Sequence, residues 1–433
     1  MSNKAEKWEL VPKLRFPEFR EAGEWGGKAL VDFATIVRGG SPRPIDEYIT
    51  NDADGLNWLK IGDIDKESKF VTSTQEKVVP AALAKTRVVN PGDLILSNSM
   101  SFGRPYILEI KTCIHDGWIA VSEIDNSLDR DYLYYLMMTS ASQMYFSNNA
   151  AGSGVQNLNA DIIKLLPVSY PSKNEQQKIA DCLSSIDELL TLAAQKLVAL
   201  KAHKKGLMQQ LFPAEGETLP KLRFPEFNSS PEWKENDLIN LSECGLSNGV
   251  FNDPKKVGSG YKLVNVLDMY IDTVINEDKL SLVELSRDEF LKNKVENGDI
   301  FFTRSSLVKS GIAYSNIYLG NSNDITFDGH LIRFRPNKNI LIPIFANYLL
   351  RTNRIRSQLV ARGKTATMTT IGQADVKSVK VAIPHTNEQQ KIADCLSSID
   401  ELVAAQTQKL DTLKAHKKGL MQQLFPTLDE AKS

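Results

Sequence analysis

The sequence predicts an α+β protein: two globular domains related by an internal pseudo-twofold repeat and separated by two long helices that form an antiparallel coiled coil. Three observations lead there. Blocks of sequence recur verbatim about 210 residues apart, two of those blocks carry a heptad-spaced apolar seam, and the stretches between blocks mix short β-type runs with a helical run. A chain of 433 residues is long enough for more than one hydrophobic core.

The repeat sets the boundaries. PKLRFPEF stands at Pro12 to Phe19 and again at Pro220 to Phe227, NEQQKIADCLSSIDEL at Asn174 and Asn387, and LKAHKKGLMQQLFP at Leu200 and Leu413. A period this long means two copies of a whole module, not a solenoid. We therefore divide the chain into a first head at 1–170, whose residues 1–19 begin the repeat, a first helix at 171–213, a second head at 214–384, and a second helix with its tail at 385–433.

In the first head, LNWLKIGDI, PGDLILSNS and CIHDGWIAV are β-type runs bounded by turn residues; DRDYLYYLMMTSASQMYF follows as a helix and AAGSGVQNLNA as a Gly-rich loop. The second head repeats that order, with VENGDIFFTRSS answering VNPGDLILSNS, and FDG at Phe327 answering HDG at His115. In the first long helix the seam runs through Ile179, Leu183, Ile186, Leu190, Ala193, Leu197, Leu200, Lys204, Leu207 and Leu211. In the second it runs through Ile392, Leu396, Ile399, Val403, Gln406, Leu410, Leu413, Lys417, Leu420 and Leu424. Asn174 with Gln177, and Asn387 with Gln390, fit an N-cap and its partner three residues on, and Pro213 and Pro426 mark the exits. Each helix would extend roughly 55 Å. Two amphipathic helices buried in separate cores are the competing arrangement, but a narrow seam of this length suits a helix pair better than a compact domain.

Composition narrows the function. No apolar run is long enough to span a membrane and the first residues, MSNKAEKWEL, carry no signal-peptide pattern, so a cytoplasmic protein is expected. The four cysteines are scattered without metal-ligand spacing, so no metal site is expected. Nucleophile elbows and zinc-protease motifs are absent, and GKT at Gly363 has Gln358 where a P-loop needs glycine. The nearest approaches to an amino-methyltransferase Asn/Asp-Pro-Pro-aromatic turn, NPG at Asn90 and DPK at Asp253, do not fit it. No catalytic residue is assigned.

Net charge is −1, so any nucleic-acid binding must rest on locally placed cations. The first head holds 14 Lys/Arg against 19 Asp/Glu from Arg20 to Tyr170, and the second 20 against 17 from Asn228 to Pro384. Residues 329–374 stand out: Arg333, Arg335, Lys338, Arg351, Arg354, Arg356, Arg362 and Lys364 occur there with no carboxylate. Such a group fits phosphate and base-edge contacts, or else a solvated helix face. The matching stretch of the first head, Tyr132 to Ala160, is uncharged and rich in Asn, Gln and Ser, which also read bases, or simply form a polar loop. The candidate DNA-contacting residues are Arg43, Ser97, Asn98, Arg104, Gln156 and Asn157 in the first head and Arg304, Arg354 and Lys364 in the second.

VRGGSPRPIDEY, WLKIGDID, VNPGDLILSNS and the P-x-x-NEQQKIA helix start, with weaker counterparts in the second head, resemble the type I restriction-modification specificity subunits over nearly the whole chain. The resemblance implies a non-catalytic subunit. Each head would read one half of a bipartite target in double-stranded DNA, and the helices would fix the spacing and dock two methyltransferase subunits that bind S-adenosylmethionine and methylate adenine. It leaves room for motor-nuclease subunits using ATP and Mg. No cofactor is expected on this chain itself. The second head has SNGVFNDP in place of the GG-S-P loop of the first, so base contacts do not transfer directly there. An enzyme with its own methylase or nuclease activity, or a purely structural coiled-coil adaptor, are the alternatives.

Overall fold

A computed structural model describes residues 11–65, 68–98, 103–150, 158–251, 254–271 and 273–426. Two compact units of mixed helix and sheet emerge, 1–194 with 409–433, and 195–408.

In the first unit, Thr35–Arg38, Trp118–Ser122, Leu94–Ser97 and Pro105–Leu108 form an antiparallel sheet in that order, and Phe70–Val71 adds a parallel edge. Side chains alternate across a strand, so an unbroken apolar run means burial on both faces. Leu94 and Leu96, with Ile107, Ile119 and Val121, join the core shared with the helices. Their neighbours Ile95, Tyr106, Leu108, Trp118 and Ala120 face the other way, into a second core. A second five-stranded sheet, containing Leu56–Leu59 and Thr112–Ile114, lies in the same head. The second unit repeats the plan with Ser242–Asn248, Leu331–Pro336, Ile300–Thr303 and Ser315–Ile317. Here Ile300 and Phe302 face one core and Phe301 the other.

Hydrogen bonds set the register between the heads. Leu59 accepts from His115, and Val264 accepts from Asp328; Asn98 donates to Gly117, and Arg304 to His330. His115 therefore corresponds to Asp328 and Gly117 to His330, so the sequence match of HDG with FDG is one residue out. Sequence identity at Asp-Gly misled, because the two turns place their aspartates at different positions.

The long helices run from Lys173 to Gln210 and from Thr386 to Leu424. Asn174 and Asn387 do not cap them. The Ser172 hydroxyl accepts from the Glu175 N–H, His385 Nδ1 stands 3.4 Å from the Asn387 N–H, and Gln177 and Gln390 instead bond Asp181 and Asp394 on the exposed face. What the verbatim NEQQ block secures is burial of its two central residues. Arg15 forms a two-pronged bond with Glu175, and Arg223 with Glu388, at 2.7–2.8 Å. Gln176 and Gln389 each donate to two carbonyls and accept one backbone N–H from their own head. Buried charges and amides need specific partners. PKLRFPEF and NEQQ are thus the two sides of one buried contact, made once in each unit.

Along the seam, Ile179, Leu183, Ile186, Ile392, Leu396 and Ile399 are buried, and Leu190, Leu197, Leu200, Leu207, Val403, Leu410, Leu413 and Leu420 are half-buried. The two seam lysines have a purpose in their own units. Lys417 bonds Asp187 in the first, and Lys204 bonds Asp400 in the second. Each aspartate also accepts the hydroxyl of a head tyrosine, Tyr135 at 2.7 Å and Tyr348 at 2.6 Å, and each lysine lies over that tyrosine's ring.

Candidate nucleic-acid interface

Most of the candidate residues gather at one end of each head's central sheet. In the second head the chain leaves the Ile300–Thr303 strand at Arg304, whose backbone is held between the His330 carbonyl and the Ile371 N–H. Arg304 itself is exposed. A small sheet follows, in which Ser305 pairs with Thr370 and Thr370 with Lys364, so Lys364 stands one strand beyond Arg304, also exposed. Residues 304–323 and 329–374 hold no carboxylate, which leaves these cations without local neutralisation in sequence.

The first head repeats that backbone frame. Asn98 is held between the Gly117 carbonyl and the Leu158 N–H, the same two bonds that hold Arg304. Its side chain is buried and donates to the Asp116 carbonyl at 3.2 Å. Ser97 is fully buried in its strand. Arg104 is half-buried and stacks over Tyr106, its Nε donor meeting no acceptor among the described residues. Gln156 and Asn157 lie outside the described residues.

The basic stretch 329–374 is largely internal. Arg333 donates to the Lys294 carbonyl, Arg335 grips Asp299, and Arg351 reaches the Ser315 carbonyl. Arg356 bonds the carbonyls of Ser310, Ile312 and Ala313, and Arg362 those of Gln358 and Ser378. Arg354, a candidate for DNA contact, donates to Ala214 and Glu217 and pairs with Glu235, with only 11% of its side chain exposed. Of the eight cations, Lys338 and Lys364 are left exposed. Arginine suits this internal use because its five donors fit several carbonyls at once.

Arg43 stands at the same end of the first head, on a loop that also borders a cleft of about 660 Å³ with Trp58, Lys60, Glu76 and His115. Its guanidinium faces Asp116. Burial pushes the Asp116 carboxyl up, but the Ser41 hydrogen bond and then the charges of His115, Arg43 and Arg38 outweigh it and hold the group below its ordinary value. Asp116 was not a sequence candidate. The signal available was an aspartate in the turn after a buried strand, present in both heads.

Among the described residues no group of His, Cys, Asp and Glu is placed to hold a metal, and no helix is long and apolar enough to cross a membrane. The site offers hydrogen-bond donors and cations on a rigid sheet end, which suits binding.

The family model described as the type I restriction modification DNA specificity domain matches residues 23–202 and again 251–415. The MjaVIII specificity subunit of Methanocaldococcus jannaschii is 22% identical over 432 residues, spanning 98% of this chain and 96% of that protein. The EcoKI specificity subunit of Escherichia coli is 24% identical over 373 residues, with 83% and 78% covered. In fold, the chain is similar to the type I restriction-modification S subunit from M. genitalium, with a TM-score of 0.60 at 15% identity, over 96% of this chain and all of that one.

Proposed function

Because the chain belongs to the type I restriction-modification DNA specificity family, we propose that its two heads, 1–170 and 214–384, each read one half of a bipartite double-stranded target, and that the helices at 171–213 and 385–433 set the gap between the halves. One observation carries this reading. The same backbone frame is built twice, with Asn98 in one head, its side chain turned in to the Asp116 carbonyl, and Arg304 in the other, its side chain exposed. A fixed frame with exchangeable side chains at one sheet end is what independent reading of two half-sites needs.

The helices act as an antiparallel pair. Within each unit the first half of one helix meets the last half of the other, through Asp187 with Lys417 and through Asp400 with Lys204. The stretches repeated verbatim on the two helices, Asn174 to Leu189 with Asn387 to Leu402 and Leu200 to Pro213 with Leu413 to Pro426, suit two identical partners, the methyltransferase subunits, which bring S-adenosylmethionine and methylate adenine. Motor-nuclease subunits with ATP and Mg join for restriction, in the cytoplasm. The chain itself is non-catalytic.

The reading is tested by exchanging Arg20 to Tyr170 for the corresponding part of a relative and mapping adenine methylation in cells that express the complex. One half-site changes and the other stays. A change in both half-sites, or none, removes the assignment of one head to one half. Methyl transfer by the purified chain alone would favour the enzyme alternative, and absence of salt-dependent DNA binding the adaptor.

A further inference from the structure

We propose that Arg43 reads the edge of a guanine in the half-site of the first head, and that Asp116 is the positioning residue that sets the plane of its guanidinium. This rests on the chain's reading as a DNA specificity subunit and deepens it by naming a base and the group that recognises it.

The Arg43 side chain is 78% exposed, and Nη2 lies 3.4 Å from Asp116 Oδ2. Asp116 takes one Nη2 hydrogen, and among the described residues the other Nη2–H is left, with its neighbour on the same edge of the guanidinium, as a planar donor pair for a ligand. The carboxylate it faces is fixed from several sides. Asp116 Oδ1 accepts the Ser41 hydroxyl at 2.8 Å and lies 3.0 Å from His115 Nε2. The Asp116 N–H donates to the Ser41 oxygen, and its carbonyl accepts from Arg38 and Asn98. His115 Nδ1 accepts the Gly117 N–H, so the ring proton is assigned to Nε2, facing Asp116. The loop bearing Arg43 is held equally closely. A Cβ on Gly39 would stand 2.2 Å from the His115 carbonyl oxygen, and one on Gly40 2.6 Å from that of Lys85.

Charge separates a base edge from a phosphate. A phosphate contact draws chiefly on net positive charge, which a paired carboxylate offsets, whereas a contact to the neutral O6 and N7 of guanine draws on a planar donor pair held in place. Arg43 is paired with a carboxylate, and its loop continues into Asp46, Glu47, Asp52 and Asp54. That pairing offsets the charge a phosphate would draw on and leaves a neutral base edge acceptable.

The second head reaches the same arrangement through different residues. Asp328, with 5% of its side chain exposed, takes the backbone N–H of His330 and lies 2.8 Å from its Nδ1, while the His330 ring is 63% exposed. A locked carboxylate in this turn orients an exposed nitrogen-bearing side chain in both heads.

The test uses the assembled methyltransferase complex and duplexes of its mapped target, with each guanine in turn replaced by 7-deazaguanine, which lacks only the N7 acceptor. At one guanine the replacement should weaken wild-type binding on the order of ten-fold or more. Arg43→Ala should abolish that penalty, and Asp116→Asn, which keeps an acceptor for Ser41 but loses the charge that faces Arg43, should shrink it, with a cooperative melt showing that each variant is folded. Arg43→Lys keeps the charge but not the planar fork, and should shrink the penalty without restoring the wild-type value. If Arg43→Ala weakens all duplexes alike and lowers the salt slope, or if no guanine shows a penalty that depends on Arg43, the inference is overturned while the specificity role stands. If the wild-type complex does not distinguish its target from unrelated DNA, it is that role which fails.

Discussion

Arg304, Lys364 and Arg354 separate by what surrounds them. The first two are exposed on a small sheet without carboxylates, and the third is enclosed by two carbonyls and Glu235. Arg304→Ala or Lys364→Ala should therefore weaken DNA binding. If the contact is to phosphate, the loss is uniform across sequences and the salt slope falls by about one; if to a base, one position relaxes by about 1–3 kcal/mol. Arg354→Ala should leave specificity as it was and lower stability by about 1–3 kcal/mol, since it strands the acceptors the guanidinium served. Binding isotherms at several salt concentrations, beside denaturant melts, check both halves. Sequence counting treated the cations of 329–374 as equivalent, and it could not do otherwise. Whether a guanidinium meets solvent depends on carbonyls that chain folding brings from 214, 294 and 315.

Each long helix meets its head through a tyrosine, an aspartate and a seam lysine, and this cluster has a pH signature. Burial first, then the bond to Asp400, holds the Tyr348 hydroxyl well above its ordinary value; burial does the same for Tyr135. A folded-state value raised above the unfolded one gives a stabilising contribution that is complete below pH about 10 and is lost as pH rises through the folded value. Tyr135→Phe and Tyr348→Phe should each cost about 1.5–3 kcal/mol at neutral pH, because a hydrogen bond to a carboxylate is removed. They should also flatten the loss of stability above pH about 10. Denaturation midpoints of wild type and variants at pH 8 and pH 11 report this; an equal difference at both would mean the hydroxyls do not titrate with unfolding. The seam was legible from heptad spacing, but its lysines read as interruptions. Each pairs with an aspartate more than 190 residues away in sequence, which no local pattern reveals.

For the whole molecule, duplication has a mechanical consequence. Each compact unit contains the first part of one long helix and the last part of the other, with the change from one unit to the next at Ala194 in the first helix. Inserting four residues there lengthens that helix by about 6 Å while nearly keeping its seam in register. If the helices set the gap, the methylated target should keep both half-sites and widen by one or two base pairs, with reduced affinity because the heads must also turn to stay in their grooves. A methylation map with the original gap and full activity would show that the partner subunits, not the helices, measure the distance.

The sequence by itself determined the duplication, the two long helices with their apolar seam, and the short β-type runs of each head, because periodicity and verbatim repetition are local properties of the chain. It also placed Asn98 and Arg304 as candidates, and these prove to occupy one backbone frame in two heads. Tertiary structure alone decided the rest. It moved the helix starts to Lys173 and Thr386, shifted the HDG turn by one residue against its partner, and joined PKLRFPEF to NEQQ through a buried ion pair. It also drew six arginines of 329–374 into internal bonds and fixed Asp116 beneath Arg43. In all of these the deciding partner is a polar group distant in the chain, and a polar group's preference for one partner over water is set by burial, which only the folded chain creates.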